Sequence, residues 1–154
     1  MTEASETPSS ELHQALRVVM MPRDTNQYGT IFGGVILSYI DQAAFIEARR
    51  HGKHRWVTVS VDTVEFRQPV CVGDVVVFLT EPERLGTTSA RVRIRVEAER
   101  YYSGERVHVT DALLTMVAVD SKGNPVPFRN PPTVTPSDLE LRVSGVDAPG
   151  GSPA

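Results

Sequence analysis

The chain has 154 residues, of which 40% are hydrophobic and 23% are charged, and its formal net charge is −3. These values are typical of one globular domain with its own core, and the acidic balance argues against electrostatic binding of nucleic acid. One cysteine excludes an internal disulfide and favours a reducing compartment, and the N-terminal residues show no signal-peptide pattern. We therefore expect a cytoplasmic protein that does not bind a membrane.

The folded domain is predicted between two polar ends. Residues 1–10 consist largely of Ser, Thr, Glu and Pro and predict a flexible N-terminal tail, and residues 130–154 predict a Pro/Gly-rich C-terminal tail. The domain should therefore span residues 11–129. Its first element is a strand within 12–21, which Pro22 ends.

The segment from Gly34 to His51 predicts a long helix. Basic residues occupy its last turn and Gly52 follows, which is a common signal for a helix C-terminus. Apolar residues occur on nearly every side, so most of the helix should be buried. The polar residues in its middle, which share one face, are Ser38, Asp41 and Gln42.

After the helix the hydrophobic period changes to two, which predicts β-strands. Short turn signals at Gly73-Asp74, 82–86 and Ser103-Gly104 separate the apolar runs and indicate an antiparallel meander. In the run 88–98 one face is apolar and the other carries Arg and Glu. A curved antiparallel sheet of five strands can wrap one apolar helix, so the predicted fold class is α+β, with a long central helix inside the sheet.

Asp41 is the first candidate for chemistry. A carboxylate in an apolar helix is costly to desolvate unless it has a partner or lies at a cleft. Asp41 is therefore a candidate general base or nucleophile in an apolar pocket. The alternative is that Ser38, Asp41 and Gln42 form a narrow polar stripe that meets water.

Two backbone features provide further candidates. Gly33 and Gly34 precede or begin the helix, where free N–H groups can bind a polarised oxygen, although a glycine pair also serves tight packing. Asn26 lies in a polar loop, where an asparagine most often closes an Asx-turn. The four histidines form no metal-ligand pattern, and Cys71 is expected to serve packing.

The spacing of these candidates predicts a dimer. Gly34 and Asp41 are seven residues apart, which is about 10 Å along a helix axis. Reacting atoms must approach within about 3.5 Å, so one chain cannot bring both groups to the same carbonyl. An isologous dimer with antiparallel helices would place Asp41 of one protomer opposite the glycines and Asn26 of the other, giving two equivalent composite sites.

The same residues occur together in a known family. The segments Met21–Asn26 and Gly29–Gly34, followed by Asp41, resemble the acyl-CoA thioester hydrolases of the hotdog fold. The similarity is to the bacterial short- and medium-chain acyl-CoA thioesterases and to the cytosolic brain-type acyl-CoA hydrolases. It continues through residues 57–74, 86–89 and 116–125, and covers about residues 14–128.

The resemblance implies a single hotdog domain that hydrolyses acyl-CoA to a carboxylic acid and free CoA without a metal or redox cofactor. It also implies that Asn26 and Asp41 are a catalytic pair from different hotdog units, and that homodimers assemble into hexamers. In the expected mechanism, the N–H groups of Gly33 and Gly34 stabilise the oxyanion. Asp41 deprotonates water or attacks directly, and Asn26 orients the water or the carbonyl.

The CoA contacts and the alternatives are less closely specified by the sequence. The residues expected to contact the CoA phosphates or the pantetheine are Arg67, Thr87, Thr88 and Ser89. One alternative is a non-catalytic acyl-CoA-binding module of the same fold. Another is a hotdog hydratase or dehydratase, which would use an Asp/His pair. The sequence does not predict the preferred acyl-chain length.

Overall fold

The computed structural model describes residues 12–138, which form one strand, one long helix and four further strands. The elements are β1 (His13–Val19), α1 (Gly33–Arg49), β2 (Arg55–Val61), β3 (Val75–Leu85), β4 (Ser89–Glu99) and β5 (Arg106–Val119). A short 3-10 turn, Pro22–Asp24, follows β1. The predicted order of elements is confirmed. Within residues 12–138 no helix is long and apolar enough to cross a lipid bilayer.

The five strands form one antiparallel sheet in the order β1-β3-β4-β5-β2. β1 and β2 are therefore its two edges. Each neighbouring pair contains one irregularity in register, and such bulges bend a sheet and increase its twist. These positions are Gln14/Leu16, Thr58/Ser60, Pro82/Arg84 and Val96/Glu97. The sheet curls around α1, as the predicted α+β hotdog fold requires.

The core lies between α1 and the concave face of the sheet. Alternate residues of β4 are completely buried there, from Ala90 to Ala98. On α1 the buried side chains recur every three or four residues, as expected for one face of a helix. They include Ile36, Ile40, Ala43, Ala44 and Ala48. Because a shift by one residue would expose every buried side chain of β4, burial fixes the register of the sheet.

The opposite face of α1 is exposed in the single chain. Leu37 and Phe45 are each 40% exposed, and Asp41 between them is also exposed. The expectation that most of α1 is buried is therefore wrong for one protomer. The physical reason is that a single curved sheet covers only one side of the helix, so the other apolar side stays exposed.

The convex face of the sheet carries the charges that the sequence indicates. Arg91 and Arg93 both reach Glu83, at 3.0 and 3.3 Å, and Arg95 lies 3.7 Å from Glu97. All three arginine side chains are more than 40% exposed. Exposed pairs of this kind contribute about 0–1 kcal/mol each. The convex face is thus a solvated surface that adds little to stability.

The folded part extends beyond the predicted boundary at residue 129. Phe128 N–H donates to the Thr87 carbonyl at 3.1 Å, and Thr133 N–H donates to the Lys53 carbonyl at 3.2 Å. Residues 130–138, which the sequence assigned to a tail, therefore pack at the start of β2. Their polar composition predicts a tail, because the hydrogen bonds that hold these residues leave no hydrophobic pattern in the sequence. Residues 1–11 and 139–154 lie outside the described residues.

Candidate functional site

The loop between β1 and α1 holds Asn26 by its side-chain amide. Asn26 Oδ1 accepts hydrogen bonds from the N–H groups of Tyr28 at 2.9 Å and Thr30 at 3.2 Å. Its Nδ2 donates to Thr30 Oγ1 at 2.8 Å. This is the Asx-turn that the sequence left open as the alternative. Nδ2 carries two hydrogens and this bond uses one of them, so the amide retains a donor for another group.

Two backbone hydrogen bonds hold the junction between this loop and α1. Ile31 N–H donates to the Val70 carbonyl, and Phe32 N–H donates to the Asp24 carbonyl, both at 2.9 Å. α1 begins at Gly33, and the first N–H groups of a helix have no acceptor within the helix. The amides of Gly33 and Gly34 therefore have no acceptor within α1, and their binding of an oxyanion stays a prediction.

A cavity of about 290 Å³ opens beside Gly33. Its walls include Thr30 from the Asn26 loop and Phe66, Arg67 and Gln68 from the segment between β2 and β3. A Cβ atom at Gly33 would lie 3.5 Å from the Phe66 ring. The structure thus brings Arg67, one of the predicted CoA contacts, to the same cavity as the predicted oxyanion site.

Asp41 lies on the exposed face of α1 and contacts β2. The hydroxyl of Thr58 donates a hydrogen bond to the Asp41 carboxylate, and Met116 Sδ lies 3.2 Å from the same hydroxyl. Asp41 is exposed, so the expectation of a desolvated carboxylate does not hold in the single chain. The sequence analysis did not identify Thr58 as a site residue. Its one indication is that it follows the buried Trp56 by two residues in a predicted strand, so both side chains lie on the same face.

Asp41 and Gly33 are separated within one chain. They are eight positions apart in α1, which corresponds to about 12 Å along the axis. The structure therefore places Asn26, Gly33 and Arg67 near the start of the helix and Asp41 two turns further on. This separation agrees with the spacing argument that a second copy must complete the site.

Thr87, Thr88 and Ser89 lie far from Arg67 in the same chain. Thr87 and Thr88 lie in the turn between β3 and β4 and Ser89 begins β4, whereas Arg67 lies beside β5, where its N–H donates to the Val109 carbonyl at 2.8 Å. Ser89 pairs with Val117 of β5, eight residues beyond Val109, which is about 26 Å along the strand. The turn is also held by its backbone, since Ala118 N–H donates to the Thr88 carbonyl at 2.9 Å. Within one chain these residues lie at the opposite end of β5 from Arg67, and their contact with the CoA phosphates or the pantetheine stays a prediction.

Side chains of the types that bind metals, including Cys71, form no cluster in the described residues. Cys71 is exposed in a bridge to Thr30, so the expectation that its side chain serves packing is wrong. Between residues 12 and 138, no three side chains of His, Cys, Asp or Glu lie close enough together to hold a metal ion.

The chain resembles proteins whose activity is named. Residues 28–102 match the family model of the thioesterase superfamily. The acyl-CoA thioester hydrolase YciA of Salmonella typhimurium is 42% identical over 131 residues, which are 83% of this chain and 97% of that protein.

Solved structures show the same similarity. The hexameric broad-specificity acyl-coenzyme A thioesterase HI0827, as an aspartate-to-alanine mutant, matches with a TM-score of 0.75 and 33% identity, covering 88% of this chain and 99% of that one. An asparagine-to-alanine mutant of an acyl-CoA hydrolase from Staphylococcus aureus, in complex with coenzyme A, matches with a TM-score of 0.67 and 28% identity, covering 84% of each chain. This chain therefore belongs to the thioesterase superfamily, among the acyl-CoA thioester hydrolases of the hotdog fold.

Proposed function

We propose that two protomers build each active site of this acyl-CoA thioester hydrolase, with Asp41 from one and Asn26, Gly33 and Gly34 from the other. The observation that carries the proposal is the placement of Asp41. Its carboxylate lies on the open face of α1, about 12 Å along the helix from the Gly33 amide. A carboxylate at that separation cannot act on a carbonyl held at the N-terminus of its own helix.

Exposed apolar side chains on both α1 and β2 support a dimer with these two elements at its centre. Leu37 and Phe45 on α1 are 40% exposed, and Val57, Val59 and Val61 on β2 are 42–56% exposed. β2 is an edge strand, paired with β5 on one side, so its other side offers backbone groups to a further strand. A second copy, with α1 and β2 antiparallel to the first, would cover Leu37 and the free edge of β2.

The proposed reaction uses the free amides at the start of α1. The N–H groups of Gly33 and Gly34 stabilise the oxyanion that forms from the thioester carbonyl. Asp41 of the other protomer accepts a proton from water that attacks the carbonyl, or attacks it directly to form an anhydride that water then hydrolyses. In both routes the C–S bond breaks, CoA leaves as a thiolate that takes up a proton, and the acyl group becomes a carboxylic acid.

Asn26 and Thr58 have supporting parts in this reaction. The Nδ2 hydrogen of Asn26 that is not bonded to Thr30 orients the water or the carbonyl oxygen. Thr58 is a positioning residue, because its hydroxyl donates to the Asp41 carboxylate and fixes the rotamer of that side chain. The partner of Asp41 is thus a hydroxyl group and not an imidazole, which favours hydrolysis over the Asp/His chemistry expected of a hydratase.

We assign the CoA moiety to the cavity beside Gly33. The Arg67 side chain is 61% exposed at that cavity and lies 3.8 Å from Asp111, so its guanidinium remains open to a phosphate. Thr87, Thr88 and Ser89 belong to the far end of the sheet, so they contact CoA bound at a site formed by other protomers.

The variant Arg67→Ala tests the role of Arg67. It is expected to raise KM for acyl-CoA about tenfold or more with little change in kcat; an unchanged KM removes Arg67 from the CoA site.

A subunit-complementation experiment tests the composite site. Asp41→Asn and Asn26→Ala should each be nearly inactive as pure proteins. When they are mixed 1:1, dissociated and reassociated, half of the dimers are mixed, and each contains one intact site, so about a quarter of wild-type activity should return. If one protomer held the whole site, mixing would restore nothing, and that result would remove the proposal.

A matched control accompanies the mixing. Two preparations of Asp41→Asn, mixed and reassociated in the same way, should stay inactive. Release of free thiol from acyl-CoA is the measurement, and it also separates the hydrolase from a protein that only binds acyl-CoA.

We further propose that three such dimers form a hexamer. HI0827, which matches this chain over most of its length, is described as hexameric. Leu37→Arg would place a charge in the centre of the proposed dimer face, where burial of an unpaired charge is costly. Light scattering after size exclusion should show a hexamer for the wild type and a folded smaller species for Leu37→Arg; a Leu37→Arg hexamer would contradict this interface.

A further inference from the structure

A second cavity, of about 430 Å³, lies one helical turn beyond Asp41. Its apolar walls are Phe45 of α1, Trp56 and Val57 of β2, and Val134. Val134 belongs to residues 131–138, which we call the C-terminal strap. We propose that this cavity receives the acyl chain of the substrate, and that the C-terminal strap limits that chain to medium length. The inference rests on the proposed function, because it requires the thioester carbonyl to lie at Asp41.

The walls lead from the carboxylate into the cavity. Phe45 follows Asp41 by four residues, so both lie on the same face of α1, about 6 Å apart along the axis. Trp56 precedes Thr58 by two residues, so both lie on the same face of β2, about 7 Å apart. Since Thr58 contacts Asp41, the helix and the strand continue side by side from the reacting carbonyl to the second cavity.

Buried hydrogen bonds hold the C-terminal strap in place. His54 is 3% exposed, its Nε2 lies 2.8 Å from the Phe128 carbonyl, and its Nδ1 lies 2.9 Å from Thr133 Oγ1. A carbonyl oxygen only accepts, so Nε2 donates to Phe128, and Nδ1 shares a hydrogen bond with the Thr133 hydroxyl. Thr133 N–H also donates to the Lys53 carbonyl at 3.2 Å. The wall formed by Val134 is therefore fixed to β2.

The far end of the cavity is charged. Arg55 forms an ion pair with Asp138, and the Thr135 N–H donates to Asp138 Oδ2 at 2.7 Å. This backbone hydrogen bond, together with the Thr135 hydroxyl and the Arg55 charge, holds the pKa of Asp138 below its usual value. An alkyl chain that reached this pair would remove water from both charges without replacing its hydrogen bonds, which is unfavourable.

The distance between the two ends sets the expected chain length. From Thr58 to Arg55 the strand advances three residues, or about 10 Å. A polypeptide residue advances about 3.3 Å over three bonds, so an extended chain gains about 1.1 Å per bond. About nine bonds therefore fill the distance between the carboxylate and the ion pair. We expect the preferred substrates to carry about eight to ten carbons.

Filling the cavity tests the assignment. The value of kcat/KM is measured for saturated acyl-CoAs from C2 to C16 with the wild type and with Val134→Trp. The indole should fill the cavity, lower kcat/KM for C8 and C10 at least tenfold, and leave acetyl-CoA within about twofold. Val19→Trp is the matched control, because Val19 is half exposed on the opposite edge strand, and it should keep the wild-type profile.

Removing the charged end is the second test. Arg55→Leu combined with Asp138→Leu replaces the ion pair by apolar side chains and should raise the ratio of kcat/KM for C14 to that for C8 at least tenfold. Equal effects of Val134→Trp on all chain lengths, or an unchanged C14/C8 ratio in the double variant, would overturn the inference. Absence of hydrolysis of every acyl-CoA by the wild type would instead refute the proposed function itself.

Discussion

The two faces of α1 differ in what surrounds them, although both are largely apolar. Ile36 and Ile40 face the sheet and are 1% exposed, whereas Leu37 and Phe45 on the other face are 40% exposed. The first face packs against all five strands of its own chain. The second carries Asp41 and is left partly exposed by residues 12–138. One helix thus has two different faces: its inner face specifies the fold, and its outer face carries Asp41 and, in our proposal, the surface that binds a second protomer.

The largest effect should come from the carboxylate of the outer face. Asp41→Asn keeps the size of the side chain and an oxygen that accepts from Thr58, but it removes the base or nucleophile. We expect kcat to fall about 10²–10⁴-fold while the oligomer and the unfolding midpoint stay nearly unchanged. The measurement is release of thiol from octanoyl-CoA.

Asp62→Asn is the control for this experiment. Asp62 is also an exposed aspartate, but it pairs with Arg91 on the convex face. An exposed pair contributes about 0–1 kcal/mol, so Asp62→Asn should retain nearly full activity and stability. Equal losses in both variants would show that the two faces of the molecule do not differ in chemistry.

The next largest effect should come from the inner face and should concern stability. Ile40→Ala removes a completely buried side chain between α1 and the sheet, and such truncations cost about 2–5 kcal/mol. Leu37→Ala on the outer face should cost much less within the protomer and should act mainly by weakening assembly. Urea unfolding at several protein concentrations separates loss of protomer stability from loss of assembly. Only a change in assembly makes the unfolding midpoint depend more strongly on protein concentration. Equal costs at high dilution would contradict the comparison.

The inner half of this comparison could be predicted from the sequence. The period of two in the strands, the turn signals and the C-terminal signal of α1 depend on neighbouring residues, so local patterns predict the elements and the α+β class. The helix ends at Arg49 rather than His51, a difference in fraying at a terminus. The C-terminal strap was missed because Thr133 and Asp138 are held by partners about 80 positions away in the chain.

The outer half could be predicted only in outline. The spacing of Gly34 and Asp41 alone indicates two protomers, because the rise per residue of a helix converts sequence separation into distance. The exposure of Asp41 in the single chain could not be predicted, since hydropathy does not say which side of an apolar helix its own sheet covers. The contact of Thr58 with Asp41 depends on the register of β2 against β5, which no local pattern specifies. The separation of Thr87 from Arg67 depends on strand length in the same way.

A smaller effect should follow from loss of the Thr58 hydroxyl. Thr58→Val keeps the shape of the side chain but leaves the Asp41 carboxylate without this donor. A hydrogen bond to a charged group contributes about 1.5–3 kcal/mol, of which we expect about half to be expressed in catalysis, or roughly a tenfold lower kcat. KM should stay within twofold, and Thr58→Ser should restore kcat because it keeps the hydroxyl. If Thr58→Ser lowered kcat as much as Thr58→Val, the effect would come from the packing of Thr58 against Met116 and not from its hydroxyl.

The smallest effect concerns the one part of the outer face that the chain covers itself, the C-terminal strap. The pKa of Asp138 lies below its ordinary value of 3.8, chiefly because of the Thr135 N–H, so the ionised form stabilises the strap. A carboxyl group with a lowered pKa stabilises the fold above its unfolded pKa, and this contribution is lost as the pH falls through the folded pKa. The strap should therefore loosen only below about pH 4.

Trp56, the single tryptophan, lines the cavity beside the strap, so its fluorescence should change in that range. In Asp138→Asn this acid-dependent change should be absent, whereas Asp120→Asn, at the other aspartate with a lowered pKa, should retain it. If Asp138→Asn gave the wild-type curve, the strap would not depend on this carboxylate.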